Sequence, residues 1–172
     1  MMAGLRANPH SRWLVLGIIA LLALALLLLQ WPPSPLPFPT RFGDLEAQEI
    51  LRGSEARSIV DEMHGKGVTP KENVIVRYEG ARGRAVLYLS AYDAPTIAGR
   101  ELERMAGLIE RGHPVFVHFR RLSIRDVPMC LCLGMGQAHY FFSFSRGVYW
   151  LAVDPAIAQE TIVRFVEALQ KS

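Results

Sequence analysis

AHYFFSFSRGVYWLAV, residues 138–153, is the stretch that decides the fold. Aromatic and branched side chains fill both halves, and Arg146-Gly147 interrupts them where a short turn is needed. Two strands, 138–145 and Val148–Val153, follow from that punctuation. Alternation sets Tyr140, Phe142 and Phe144 on one face of the first strand and His139 and Phe141 on the other. Both faces are therefore apolar, more than one buried face needs, and the surplus marks a partner surface.

Working outward, residues 127–133 read as a preceding strand. Val115–Arg121 reads as another, with Val115, Val117 and Phe119 on one face. Further upstream, Asn73–Tyr78 and Arg84–Tyr92 flank a five-residue link, 79–83, that suits a hairpin. Helices occupy the intervals. Residues 44–64 carry an approximate stripe of Leu45, Ile50, Leu51, Ile59, Val60 and Met63, interrupted at Gly53. Asp93 stands at an N-cap position with Pro95 in the first turn, and a helix runs to Arg111 with Leu102, Met105, Ala106 and Ile109 on one face. Asp154-Pro155 opens a last helix that turns Ile157, Ile162, Phe165, Val166 and Leu169 inward. The order α-β-β-α-β-β-β-β-α, with one strand of tolerance, predicts an α+β domain: a mostly antiparallel sheet with about three helices on one face.

The 172-residue chain begins differently. Trp13 to Trp31 is nineteen residues without a charge, twelve of them Leu, Ile or Val. As a helix it rises about 28 Å, near the hydrocarbon thickness of a bilayer. Its aliphatic side chains favour insertion by about 4–7 kcal/mol. Ala23-Leu24-Ala25 resembles a signal-peptide cleavage site, but it lies inside the run with four leucines after it, so an uncleaved anchor is the expectation. Arg6 and Arg12 precede the run and no acid does, which puts the N-terminus in the cytoplasm. The expected organisation is a cytoplasmic tail (1–12), a transmembrane helix (13–31), a Pro-rich spacer (32–43) and an extracytoplasmic α+β domain (44–172). The spacer holds five prolines in residues 32–39 and favours extended polyproline II. The whole chain carries a net charge of +3. Removing Arg6 and Arg12 leaves residues 41–172 at +1, so charge gives no argument for nucleic-acid binding.

Chemistry concentrates between Met129 and Tyr140. Cys130 and Cys132 fall on the same face of a strand, and a turn at Gly134–Gly136 directs His139 towards them. With Met135, these residues form a candidate ligand set for copper or zinc. In the competing reading the thiols are small buried hydrophobes, with Met129, Leu131 and Leu133 in one apolar layer. A Cys130–Cys132 disulfide would be strained, because residues two apart on a strand are at the edge of the bridging distance. The glycines suit a turn rather than a phosphate loop, since a strand follows them and not a helix N-terminus. Ser58, Asp61 and His64 share one helix face, but no Gly-x-Ser-x-Gly elbow is present and a structural role ranks above a catalytic one. Arg120, Arg121 and Arg125, with Arg77, Arg82 and Arg84, would form a basic edge if their strands are neighbours. That edge would meet lipid headgroups or an acidic partner, or protect the sheet margin. The function expected is a membrane-anchored extracytoplasmic binding or scaffold domain of an envelope assembly, with the bilayer and a membrane or envelope protein as partners. A metal or thiol-redox protein is the alternative.

Overall fold

A computed structural model describes residues 18–22, 35–64 and 72–172. The chain separates into two units, Met1–Pro35 and Leu36–Ser172. In the first unit residues 18–22 are helical, and the rest of the expected span 13–31 lies outside the described residues. Among the described residues no helix is long and apolar enough to cross a membrane.

The second unit is an α+β domain built on one eight-stranded antiparallel sheet. Its strands are β1 (Arg41–Phe42), β2 (Leu45–Arg52), β3 (Glu72–Gly80), β4 (Gly83–Ala91), β5 (Val117–Ile124), β6 (Val127–Gly134), β7 (Gln137–Phe144) and β8 (Gly147–Val153). They lie in the order β1-β2-β3-β4-β8-β7-β6-β5, two four-stranded meanders joined where β4 pairs with β8. The helices are α1 (Gly53–His64), α2 (Pro95–Glu110) and α3 (Ala158–Leu169).

Side-chain alternation is realised as the 138–153 stretch requires. Ala138, Tyr140 and Phe142 of β7 join Tyr149, Leu151 and Val153 of β8 in a core beneath α3. Phe141 and Val148 point the opposite way, with Trp150 packed beside them, into a second core beneath α2. A third cluster, Ala56, Val60 and Ile75, seals α1 onto β3. Helices thus cover both faces rather than one, which is why both halves of the central hairpin are apolar.

Eight strands span about 34 Å, whereas the twelve residues of α3 extend about 18 Å. Yet α3 contacts β1, β8 and β5, so the sheet curls around it. Phe165 sits edge-on to Phe42 of β1 at 5.1 Å and to Phe142 of β7 at 6.4 Å. At the far margin Glu167 pairs with Arg125 at 2.5 Å, and Gln170 donates to the Arg125 carbonyl at 3.1 Å. The inward set Ile157, Ile162, Phe165, Val166 and Leu169 is buried as expected.

Four local expectations are corrected. Residues 45–52 form β2, not helix: pairing with β3 from Glu46↔Glu79 to Arg52↔Val74 outweighs the helix preference of Leu, Glu, Ala and Gln, a few tenths of a kcal/mol per residue. Gly53, at φ +63°, makes the switch from β2 into α1. The N-cap position of α2 is taken by Ala94 rather than Asp93, and Asp154 does not cap through its side chain: it instead accepts the Arg84 backbone N–H at 2.9 Å, with a 3₁₀ turn (Pro155–Ile157) leading into α3. The third expected strand starts at Val117, and a bulge between Val117 and Arg120, with His118 at φ +56°, breaks its alternation.

The proline-rich segment is also different from a free spacer. Leu36 is buried in the main core, and the carbonyls of Pro37 and Pro39 accept hydrogen bonds from the hydroxyls of Tyr149 and Tyr78, each at 2.8 Å. Arg52 lies over the Phe38 ring at 5.1 Å. The domain therefore begins at Leu36, and residues 36–39 are a strap that runs lengthwise, from the Gly147 end of the sheet at Leu36 towards the level of Tyr78 and Val153.

Candidate functional site

The α2 face of the sheet gathers the cysteines and the histidine that the sequence singled out. Cys132 and His139 are direct cross-strand partners, and Cys130 stands opposite Phe141, so all three residues occupy the face beneath α2. Both cysteines are free and buried. Burial pushes both thiols up, Cys132 to about 12, which keeps them protonated and weakly nucleophilic.

His139 is almost fully buried, and both of its ring nitrogens are engaged. Trp150 Nε1 donates to Nδ1 at 3.0 Å, and Nε2 lies 2.9 Å from the Gly134 carbonyl oxygen. An indole N–H only donates and a carbonyl only accepts, so the ring is the neutral tautomer with its proton on Nε2. Burial holds its pKa below the usual imidazole value, partly opposed by the bond to Gly134. The lone pair that a metal requires is already used by Trp150. Met135, the fourth expected ligand, sits in the two-residue β6–β7 turn at φ +48° and is 65% exposed. Among the described residues, no three His, Cys, Asp or Glu side chains converge as a metal-binding group. The copper or zinc set of Cys130, Cys132, Met135 and His139 is therefore not assembled, because the imidazole is committed to the core and the thioether to solvent. Ser58 and Asp61 lie on α1, and the His64 side chain lies outside the described residues.

The six arginines do not form one edge. β3 and β4 are separated from β5 by β8, β7 and β6. Arg77 pairs with Glu49 at 2.6 Å, and Arg82 pairs with Asp44 and Glu160 at 3.4 and 2.9 Å. On β5, Arg121 binds Glu103 and Glu110 of α2, and the hydrogen bond it donates to Glu103 is the main reason its pKa is raised. Arg125 is held by Glu167. Arg120 is exposed and, among the described residues, makes no ion pair.

Beside Arg120 lies a surface that sequence reasoning only half anticipated. Val115, Val117, Leu133 and Met135 are 43, 51, 40 and 65% exposed. They are neighbours: Val117 pairs with Leu133, and the Val115 carbonyl abuts the backbone at Gly134, the residue before Met135. Local structure holds them outward. His113 Nδ1 accepts the N–H groups of Val115 and Phe116 at 3.2 and 3.3 Å. Phe116 turns in against His139 and Trp150, with centroids 5.0 and 5.3 Å away, leaving Val115 in solvent. The two-faced aromatic pattern had pointed to an exposed row on β7, but those rings are buried. The signal for the true surface was the Val115/Val117 pair next to a bulge. Among the described residues β5 is the last strand of the sheet and pairs with β6 alone. Comparison of the chain with protein-family models, with curated proteins and with solved structures finds no match.

Proposed function

We propose that this protein is a single-pass, membrane-anchored interaction module, with residues 1–12 cytoplasmic, 13–31 crossing the bilayer, and the α+β domain outside the cytoplasm as part of an envelope assembly. The nineteen uncharged residues support the anchor. The observation that carries the interaction role is the exposed cluster Val115, Val117, Leu133 and Met135 beside the unpaired edge of β5.

Membrane fractionation with protease protection tests the anchor: the intact chain should sediment with membranes, and its domain should be cleaved only from the extracytoplasmic side. A photo-cross-linking amino acid at Val117 should capture a protein in intact membranes, and the same group at Arg57 on α1 should not. Recovery of the intact chain in the soluble fraction, with no adduct at Val117, would overturn the proposal.

A further inference from the structure

We infer that the β5 edge receives an extended, acidic and apolar segment of a partner protein as a ninth strand of the sheet. The inference rests on the proposed interaction role and specifies the occupant. Three observations lead to it. First, β5 presents unused backbone N–H and C=O groups along Arg120–Ile124, about 16 Å of regular strand beyond the bulge. Second, the apolar side chains that stand in solvent lie just past the Arg120 end of that stretch, across the bulge, where one end of an added strand reaches them. Third, the two charges on the strand itself, Arg120 and Arg121, are both positive, with Asp126 beyond it in the β5–β6 turn. Arg121 and Arg125 are neutralised by α2 and α3, and Arg120 is left, on the same face as Leu131 and the Val117–Leu133 pair. A carboxylate on the incoming strand, opposite Arg120, makes a favourable cross-strand pair.

A second copy paired β5 to β5 offers Arg120 no carboxylate: antiparallel self-pairing over Arg120–Ile124 sets Arg120 opposite Ile124, whereas a complementary sequence can place an acid there. The part of β2 in a second copy that the two-residue β1 leaves uncovered, 48–52, is the remaining self-occupant, although its Glu49 is already paired with Arg77. It would build open head-to-tail chains rather than a closed dimer.

The test uses the full chain in lipid nanodiscs and two synthetic probes, an octapeptide alternating Glu and Val and its Lys-for-Glu counterpart. The acidic peptide should bind, protect the β5 amides from hydrogen exchange, and cross-link to a photoreactive group at Ser123. Arg120→Glu should weaken the acidic peptide about tenfold and allow the Lys peptide to bind instead. Equal binding of both peptides, binding of neither at millimolar concentration, or protection confined to another edge would overturn the inference. So would concentration-dependent growth of the unliganded protein in sedimentation, which would identify β2 of a second copy as the occupant. If Val117 still captures a protein in membranes while the acidic peptide fails, the interaction role stands and the strand-addition chemistry falls.

Discussion

The strap and the α2–β5 loop treat apolar surface in opposite ways. The chain lays Leu36–Pro39 along the core, buries Leu36, and fixes the strap with two tyrosine hydroxyls. At the open end of the sheet the α2–β5 loop turns Phe116 inward onto His139 and Trp150 but leaves Val115, Val117, Leu133 and Met135 outside. Apolar surface is covered in the first region and displayed in the second. Stability is therefore expected to reside in what lies under each region, and interaction in what lies on only one.

The largest effect should come from the support beneath the open end. His139→Leu removes the partner of both Trp150 Nε1 and the Gly134 carbonyl, orphaning two polar groups in a buried site. A loss of about 2–3 kcal/mol is expected in chemical denaturation. The wild-type site should also be pH-sensitive. The folded pKa of His139 lies below the ordinary 6.5, so the unfolded chain takes up the proton first as pH falls. This contribution to stability is constant above about pH 6.5 and declines below it. Denaturation midpoints at pH 7 and pH 5, compared between wild type and His139→Gln, check it; a decline of equal size in both would show that His139 is not its source.

Leu36→Ala should cost less, about 2 kcal/mol, the low end for a buried leucine because the strap can relax into the space. Gly147 reports on the same closure. A Cβ there would meet Leu36 Cδ1 at 2.5 Å and the Tyr149 ring at 2.9 Å, so Gly147→Ala should loosen the strap without removing any core atom. Protease cleavage ahead of Phe42 should accelerate in both variants. Tyr149→Phe and Tyr78→Phe come next, at about 1 kcal/mol each for one hydrogen bond to the strap. A double mutant near the sum of the singles would show that the two phenols hold the strap independently.

The central strands were legible in the sequence because side-chain alternation is a local property. Residues 138–153 state their two faces directly, and the last helix states its buried stripe. What the sequence did not reveal depends on distant partners. Leu45-Glu-Ala-Gln-Glu-Ile-Leu-Arg52 has helix-forming composition and becomes a strand only because β3 offers its edge. The strap looks like a stiff linker until the hydroxyls of Tyr78 and Tyr149, 39 and 112 residues away in the chain, are seen to reach it. The Cys-His segment gathers soft ligands in sequence, but the tautomer of His139 is set by Trp150, eleven residues later on the next strand.

The smallest expected effect sharpens the comparison most. Val117→Ser and Met135→Ser remove apolar side chains that already stand largely in water, so each should change stability by no more than about 0.5 kcal/mol. Residues conserved in place by packing behave otherwise, as Leu36 should. If the open end serves only as an unfinished core, the serine variants should be indistinguishable from wild type in every assay. If it is a docking surface, they should keep the wild-type denaturation midpoint and lose the cross-linked partner in membranes. A joint loss of stability and partner would place these side chains within the core, and the contrast between the strap and the open end would fail. Separation of the two readouts requires only that denaturation and membrane cross-linking be measured on the same variants.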